Sequence, residues 1–317
     1  MSQSFDAPLG GAGYAGTIAD WRDVCTAATA ASQDGADSAR DFFAQNFVPY
    51  TVAADPPSDG LFTGYYEPLL HGSRLQHDQY QTPLYALPPG YEIPHATRAD
   101  IAANGTSLPV LCYVDDKIDA FFLQIQGSGR VALDDGTTIR AAYAGQNGYP
   151  YTAIGAVLLG RGEIPREQMS MQAIRAWLLT HPDQADAVMN MDESYVFFIE
   201  TPLGSSNFGA DGTGGSALEP TASIAVDRSI HPLGVPVWID TVAPVLGAND
   251  VAPLHKLFIA QDTGGAIKGP VRADIYWGFG PEATERAGRM KGQGRMTVLL
   301  PRTVAERLGT RFTHTLP

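Results

Sequence analysis

Three aspartates recur in the last third of the chain, each beside an apolar run: Asp227 in Ala225-Val226-Asp227-Arg228-Ser229-Ile230, Asp262 in Gln261-Asp262-Thr263-Gly264-Gly265, and Asp274 in Arg272-Ala273-Asp274-Ile275-Tyr276. A carboxyl at the end of an apolar strand loses water, and that loss favours its neutral form. A neighbouring carboxylate pushes it the same way. An aspartic acid kept protonated near neutral pH can protonate a leaving oxygen, so three such residues brought together suit general-acid chemistry. The plainer reading is that each aspartate caps a turn or accepts backbone N–H bonds. Spacing alone leaves both open.

Gly264-Gly265-Ala266-Ile267-Lys268-Gly269 has the look of a phosphate-cradling loop. It lacks the Walker spacing and the Ser or Thr after the lysine, so a nucleotide site is not expected. Its glycines suit a close approach of backbone to a ligand instead. His231 and the other histidines form no metal-binding constellation, and neither a metal nor a cofactor is expected.

The elements that must position these residues are legible in part. Ile18, Trp21, Val24 and Ala28 recur at helical spacing and predict a helix over Thr17–Ser32, opened by a Thr17/Asp20 capping pair. Asp37–Phe47 predicts a second helix, Asp55–Gly60 a turn, and Leu61–Glu67 a strand ending at Pro68. Short strands are expected at Val110–Val114, Ala120–Ile125, Arg130–Leu133 and Thr138–Tyr143, the last two joined by a hairpin turn at Asp134-Asp135-Gly136. Helices follow from Met171, capped by Ser170, to His181, and from Asp183 to Met191; Tyr195–Ile199 is a strand. Pro202–Gly215, rich in Gly, Ser and Asn, predicts a linker or mobile loop. Ser223–Val226, Pro236–Asp240, Leu257–Ala260, Ala273–Tyr276 and Met296–Leu300 predict strands, interrupted by one helix at Pro281–Gly288. That density of strands implies a compact β-barrel.

Composition narrows the classes. The 317 residues carry 21 Lys+Arg against 34 Asp+Glu, a net charge of −13, which disfavours nucleic-acid partners. No apolar run is long enough to cross a bilayer. Met1–Gly16 is polar and Gly-rich, without the basic start and apolar core of a signal peptide, which by itself reads as cytoplasmic. Cys25 and Cys112 match no metal motif, and Cys25 falls where a buried free thiol is expected.

Longer strings say more than spacing. Gln261–Gly269, Ala273-Asp274-Ile275-Tyr276-Trp277-Gly278 with Glu282-Ala283, and Asp227–Gly234 resemble the three-aspartate barrel of the MltA family of lytic transglycosylases. The family's insert domain is resembled by Phe62–Pro68, Gln126-Gly127-Ser128-Gly129, Tyr143–Tyr151, Ser170–Trp177 and Ser194–Phe198. The strings run in order from about residue 60 to residue 300. One departure is Met191-Asp192-Glu193, where an Asn-Pro pair would be expected before Ser194.

The resemblance implies a mainly β fold: a double-psi β-barrel built from residues 1–75 and 208–317, with N-terminal helices and a smaller β-rich domain, residues 76–207, inserted into it. Glycan would lie in a groove between the two. The implied reaction cleaves the MurNAc-β-1,4-GlcNAc bond of peptidoglycan and leaves 1,6-anhydromuramoyl ends, with Asp274 as acid and base, and Asp262 and Asp227 in support. A glycan hydrolase using a carboxylate pair and a non-catalytic glycan-binding module are the alternatives. Tyr65, Tyr66, Tyr143, Tyr151 and Trp277 offer faces for pyranose rings or for core packing. Gln126, Gln146 and Asn147 can pair with hydroxyl and acetamido groups, with Gly127, Ser128 and Gly264 beside them in the matched strings. Glu67 lines the groove or simply ends a strand; Lys268 lowers a neighbouring aspartate's pKa or sits in solvent. The substrate implies a periplasmic protein, often held at the outer membrane in this family through a leader that precedes this sequence, with peptidoglycan strands and other cell-wall enzymes as its partners.

Overall fold

The computed structural model describes residues 7–31, 35–52, 59–94, 96–204 and 207–308. The chain begins with helices α1 (Ile18–Ala31) and α2 (Ala36–Asn46), then strands β1 (Phe47–Val52), β2 (Gly60–Glu67), β3 (Leu69–Ser73) and β4 (Thr82–Tyr85). Its middle third holds α3 (Arg98–Asn104), β5 (Val110–Val114), α4 (Lys117–Gln126), β6 (Gly129–Leu133), β7 (Thr138–Gln146), α5 (Ile154–Gly160), α6 (Met171–Thr180), α7 (Pro182–Met189) and β8 (Val196–Thr201). The remainder is β9 (Ser223–Val226), β10 (Pro236–Pro244), β11 (Val251–Asp262), β12 (Arg272–Phe279), α8 (Pro281–Arg289), β13 (Lys291–Pro301) and α9 (Arg302–Leu308). Two compact units result: residues 1–63, 211–276 and 290–317 form one, residues 64–210 and 277–289 the other.

The first sheet runs β1-β13-β10-β11-β9-β12-β2, and β13 also pairs with β2. That extra pairing closes β13, β10, β11, β9, β12 and β2 into a barrel, which removes the open edges a flat sheet would leave. Alternation builds its core: Val237, Ile239, Ala273, Ile275, Met296, Val298 and Leu300 are fully buried at every second position of their strands. β9 is different. All four of its residues are buried, and it lies parallel to β11 on one side and antiparallel to β12 on the other. A strand covered on both faces reads as a continuous apolar run, and Ser223-Ile224-Ala225-Val226 comes close to one. Gly292 and Gly294 let β13 cross β10: a Cβ at Gly294 would collide with the Asp240 carbonyl oxygen, and one at Gly292 with the Thr241 hydroxyl.

The second unit has a six-stranded sheet, β4-β5-β3-β6-β7-β8. Leu70, Leu84, Cys112, Val114, Val131 and Phe198 bury its inner face against Leu123 of α4. Phe121 and Phe122 of the same helix pack with Ile154, Leu158, Trp177, Leu178 and Val188 from α5, α6 and α7. Each such apolar side chain contributes about 1.5–3 kcal/mol when fully buried.

Several expectations need correction. Ala120–Ile125 is helical. Asp116 accepts the amides of Ile118 and Asp119 as an N-cap, and Gly127 closes the helix in the left-handed region at φ 83°; a strand would satisfy neither. Cys25 is exposed, because α1 buries only Trp21 and the thiol lies off that contact. Pro202–Gly215 is tethered, apart from residues 205 and 206, which lie outside the described set. The Phe208 carbonyl accepts from Arg130 and Arg140, and Gly214 donates to the Gln261 carbonyl at 2.8 Å. The turn expected at Asp55–Gly60 falls largely outside the described residues. Strands β1, β3 and β4 and helices α3, α5 and α9 were not foreseen, and Phe47, expected to end the second helix, begins β1 instead. The hairpin turn at Asp134–Gly136 is present, with the Thr137 amide and hydroxyl donating to the Asp135 carboxylate.

Candidate active site

The strand register explains how residues far apart in sequence meet. Asp274 on β12 pairs across from Ala225 of β9, and Asp262 on β11 pairs with the same Ala225 from the other side. A bulge between Ala260 and Asp262 produces this alignment. With strands about 4.8 Å apart, the two backbones stand roughly 10 Å from each other across β9. Asp227 follows directly after β9, so all three aspartates gather around one strand and its end.

Their environments differ. Asp274 keeps part of its surface accessible, while protein crowds its carboxyl. That burial raises its pKa, and the Asp262 charge adds to the rise; the Arg272 charge and a hydrogen bond from Thr63 oppose it, with a net upward shift. The Thr63 hydroxyl donates to Asp274 Oδ1 at 2.7 Å, and Arg272 Nη2 donates to the same hydroxyl oxygen at 2.8 Å. Arg272 and Asp274 share a strand face because they are two residues apart on β12, with Ala273 and Ile275 turned into the core.

Asp227 is buried and held as an anion. Burial alone would raise its pKa, but the Ser229 hydroxyl (2.6 Å), the amides of Gly269 (2.9 Å) and Ser229 (3.1 Å) and the Lys268 charge outweigh it, for a net lowering. It pins the 264–269 loop to the end of β9. His231, also buried, helps. Its Nε2 faces the Pro270 carbonyl at 2.7 Å and so carries the proton, leaving Nδ1 to accept from the Tyr14 hydroxyl at 2.7 Å. Burial lowers its pKa and keeps it neutral. Asp262 accepts from the Thr213 amide (3.0 Å) and hydroxyl (2.9 Å), at the mouth of the 211–217 turn. Gly264 accepts the Ile267 amide within its loop, and Lys268 is exposed.

In the second unit, Glu67 is 1% exposed, with Arg130 Nε 3.1 Å from Oε2, Arg140 Nε 3.0 Å from Oε1, and the Ala210 amide donating at 2.7 Å. The Arg140 contact is off the hydrogen-bond direction and acts as an ion pair. Asn147 is likewise committed: fully buried, it donates to the Ala96 and Glu193 carbonyls and accepts from the Tyr195 amide, each at 2.8 Å. Gln126 accepts the Tyr66 amide at 3.0 Å and Gln146 accepts that of Gly148 at 2.9 Å. Tyr66 is buried, which pushes its hydroxyl up to about 12. Tyr65, Ser128 and Trp277 are half-buried, and the Arg286 guanidinium lies 5.2 Å from the Trp277 ring. Gly127 is occupied as the α4 cap. Tyr143 and Tyr151 are 53% and 37% exposed. Thr63, Arg272, Arg130 and Arg140 were not singled out from the sequence. The Arg272/Asp274 pair was visible as a period-two pattern; the contacts of the other three depend on distant strands.

Residues 222–300, which carry Asp227, Asp262 and Asp274 on the closed barrel, match the 3D domain family. Residues 61–199 match the MltA specific insert domain. The chain belongs to the MltA family. It is 38% identical over 253 residues to the membrane-bound lytic murein transglycosylase A of Escherichia coli K12, covering 78% of this chain and 67% of that protein. Among solved structures, a membrane-bound lytic murein transglycosylase from Agrobacterium tumefaciens superposes with a TM-score of 0.79 at 32% identity, over 92% of this chain and 86% of the other. Escherichia coli MltA with bound chitohexaose gives 0.76 at 34% identity, over 89% and 84%.

Proposed function

We infer that this protein is a lytic transglycosylase of peptidoglycan, with Asp274 as its acid and base. The observation that carries the reading is the crowded Asp274 carboxyl, biased toward its neutral form yet still partly accessible. The neutral acid protonates the oxygen of the MurNAc-β-1,4-GlcNAc bond as the bond to C1 breaks. The aspartate left behind accepts the proton of the muramoyl C6 hydroxyl as that oxygen bonds to C1. A 1,6-anhydro ring forms, no water is consumed, and the carboxyl regains its proton. A glycosidase with a protein nucleophile needs two carboxyl groups about 5–5.5 Å apart, and an inverting one about 6.5–9.5 Å. Here the nucleophile belongs to the substrate, so a single acid suffices. Burial biases Asp274 toward its neutral form and the Asp262 charge adds to that bias, while Asp227 serves by fixing the loop.

The chemistry belongs to the unit of residues 1–63, 211–276 and 290–317, which holds the three aspartates, while in the other unit exposed Tyr143 and Tyr151 suit sugar rings. The chitohexaose-bound relative supports a β-1,4-linked aminosugar polymer as the ligand. A cell-wall substrate calls for the periplasm, and the curated relatives are named membrane-bound. Among the described residues no helix is long and apolar enough to cross a membrane.

The test is Asp274→Asn on purified peptidoglycan, with products read by mass spectrometry. The wild type should release anhydro ends, and the variant should lose about 100-fold or more in kcat, the scale of general-acid catalysis, while still binding glycan. Reducing ends from the wild type, or an active variant, refutes the assignment.

A further inference from the structure

The contacts Arg272 Nη2 to Thr63 Oγ1 (2.8 Å) and Thr63 Oγ1 to Asp274 Oδ1 (2.7 Å) form a chain with one direction. A guanidinium only donates. It occupies a lone pair of the Thr63 oxygen and leaves the hydroxyl proton to point at the carboxyl. Arg272 is itself anchored, with Nη1 donating to the carbonyls of Ala273 (2.5 Å) and Leu61 (3.4 Å). Thr63 sits on β2, opposite Lys291 of β13, and its branched side chain has little χ1 freedom. Among the described residues, Asp274 Oδ2 makes no hydrogen bond.

We propose that Thr63, oriented by Arg272, is a positioning residue that decides which oxygen of Asp274 exchanges the proton. Oδ1 is held as an acceptor, so Oδ2 carries the proton to the glycosidic oxygen and takes one back from the C6 hydroxyl. Thr63 and Arg272 give up no proton. The hydroxyl donates more strongly to the anion than to the acid, so it also helps the proton leave. This deepens the assignment of Asp274 as the acid and rests on it. The groups facing the carboxyl are Arg272 on its own strand, Thr63 on β2 and Asp262 on β11. With Arg272 anchored on two carbonyls, removal of the Thr63 hydroxyl withdraws a donor from the anion and brings in no new charge.

The experiment measures kcat, KM and the pH profile of kcat on solubilised peptidoglycan strands for Thr63→Val and Thr63→Ser, with thermal unfolding of each. Thr63→Val should lose about ten- to a hundredfold in kcat through a loosened acid, with KM nearly unchanged. Its alkaline limb should move upward, because the neutral acid is favoured. Thr63→Ser should restore both. Should the valine variant unfold, Thr63→Ala serves as the hydroxyl-free form. Wild-type kcat in the valine variant, a lost rate with the alkaline limb unmoved or lowered, or failure of serine to rescue overturns the proposal. Asp274→Asn separates the two claims. If it is inactive while Thr63→Val behaves as wild type, only the positioning role falls. If it is active, the acid was misassigned.

Discussion

Glu67→Gln removes one charge from a cluster that has almost no water. The carboxylate is 1% exposed, and its partners Arg130 and Arg140 are 13% and 5% exposed as side chains. The arginines have other acceptors. Arg130 and Arg140 both reach the Phe208 carbonyl, Arg140 also that of Pro202, and Arg130 lies 3.5 Å from the Phe279 ring centre. None of these carries a charge. The glutamine amide would therefore leave two buried cations facing each other without an anion, a loss of about 3–5 kcal/mol for a broken buried ion pair. At roughly 2–4 °C per kcal/mol for a unit of the size of residues 64–210 with 277–289, its melting temperature should drop by about 6–20 °C. Circular dichroism melts of the wild type and variant measure this directly. A second variant sharpens the test: Glu67→Gln with Arg140→Met removes one of the stranded cations and should melt above Glu67→Gln alone. A melting temperature within about 2 °C of the wild type would refute the reasoning, since an uncompensated buried charge cannot be that cheap. So would loss of glycan binding without loss of stability, which would make Glu67 a ligand contact.

Two further predictions concern the barrel. Asp227 has its pKa lowered in the folded protein, so its contribution is full above the unfolded value of about 3.9 and fades as pH falls through the folded one. The gap in melting temperature between wild type and Asp227→Asn should therefore be wide near pH 7 and close in strong acid; a gap that widens on acidification contradicts the assignment. Gly294→Ala should prevent closure at the β13–β10 crossing, because its methyl would meet the Asp240 carbonyl. Native-like melting and full activity of that variant would show that the crossing can move apart.

How far the sequence foretold this molecule varied with the range of the interaction. Short-range signals did well: Ser170 caps α6 by accepting the Ala173 amide, and the Asp135-Gly136 hairpin is in place. A short apolar run was ambiguous. Ala120–Ile125 is apolar enough for a buried strand, and only its ends, Asp116 and Gly127, decide for a helix. The aspartates could be named by resemblance, but Asp274 and Asp262 flanking one residue of β9 depends on a bulge that no spacing encodes. Contacts across 211 residues, such as Thr63 with Asp274, lie beyond any local pattern. Asn147 illustrates the opposite error. An amide in a matched string reads as a sugar contact, yet its buried side chain clamps three backbone groups of its own unit.

β13 pairs with β1, β2 and β10, although it comes after all the other described strands in chain order. A polypeptide halted before residue 291 would carry all of its aspartates and every other strand of the barrel, but three strands would expose unbonded amides and carbonyls. Such edges invite association and proteolysis. The barrel that holds the acid can therefore close only after residues 291–301 have been made, later than all three aspartates.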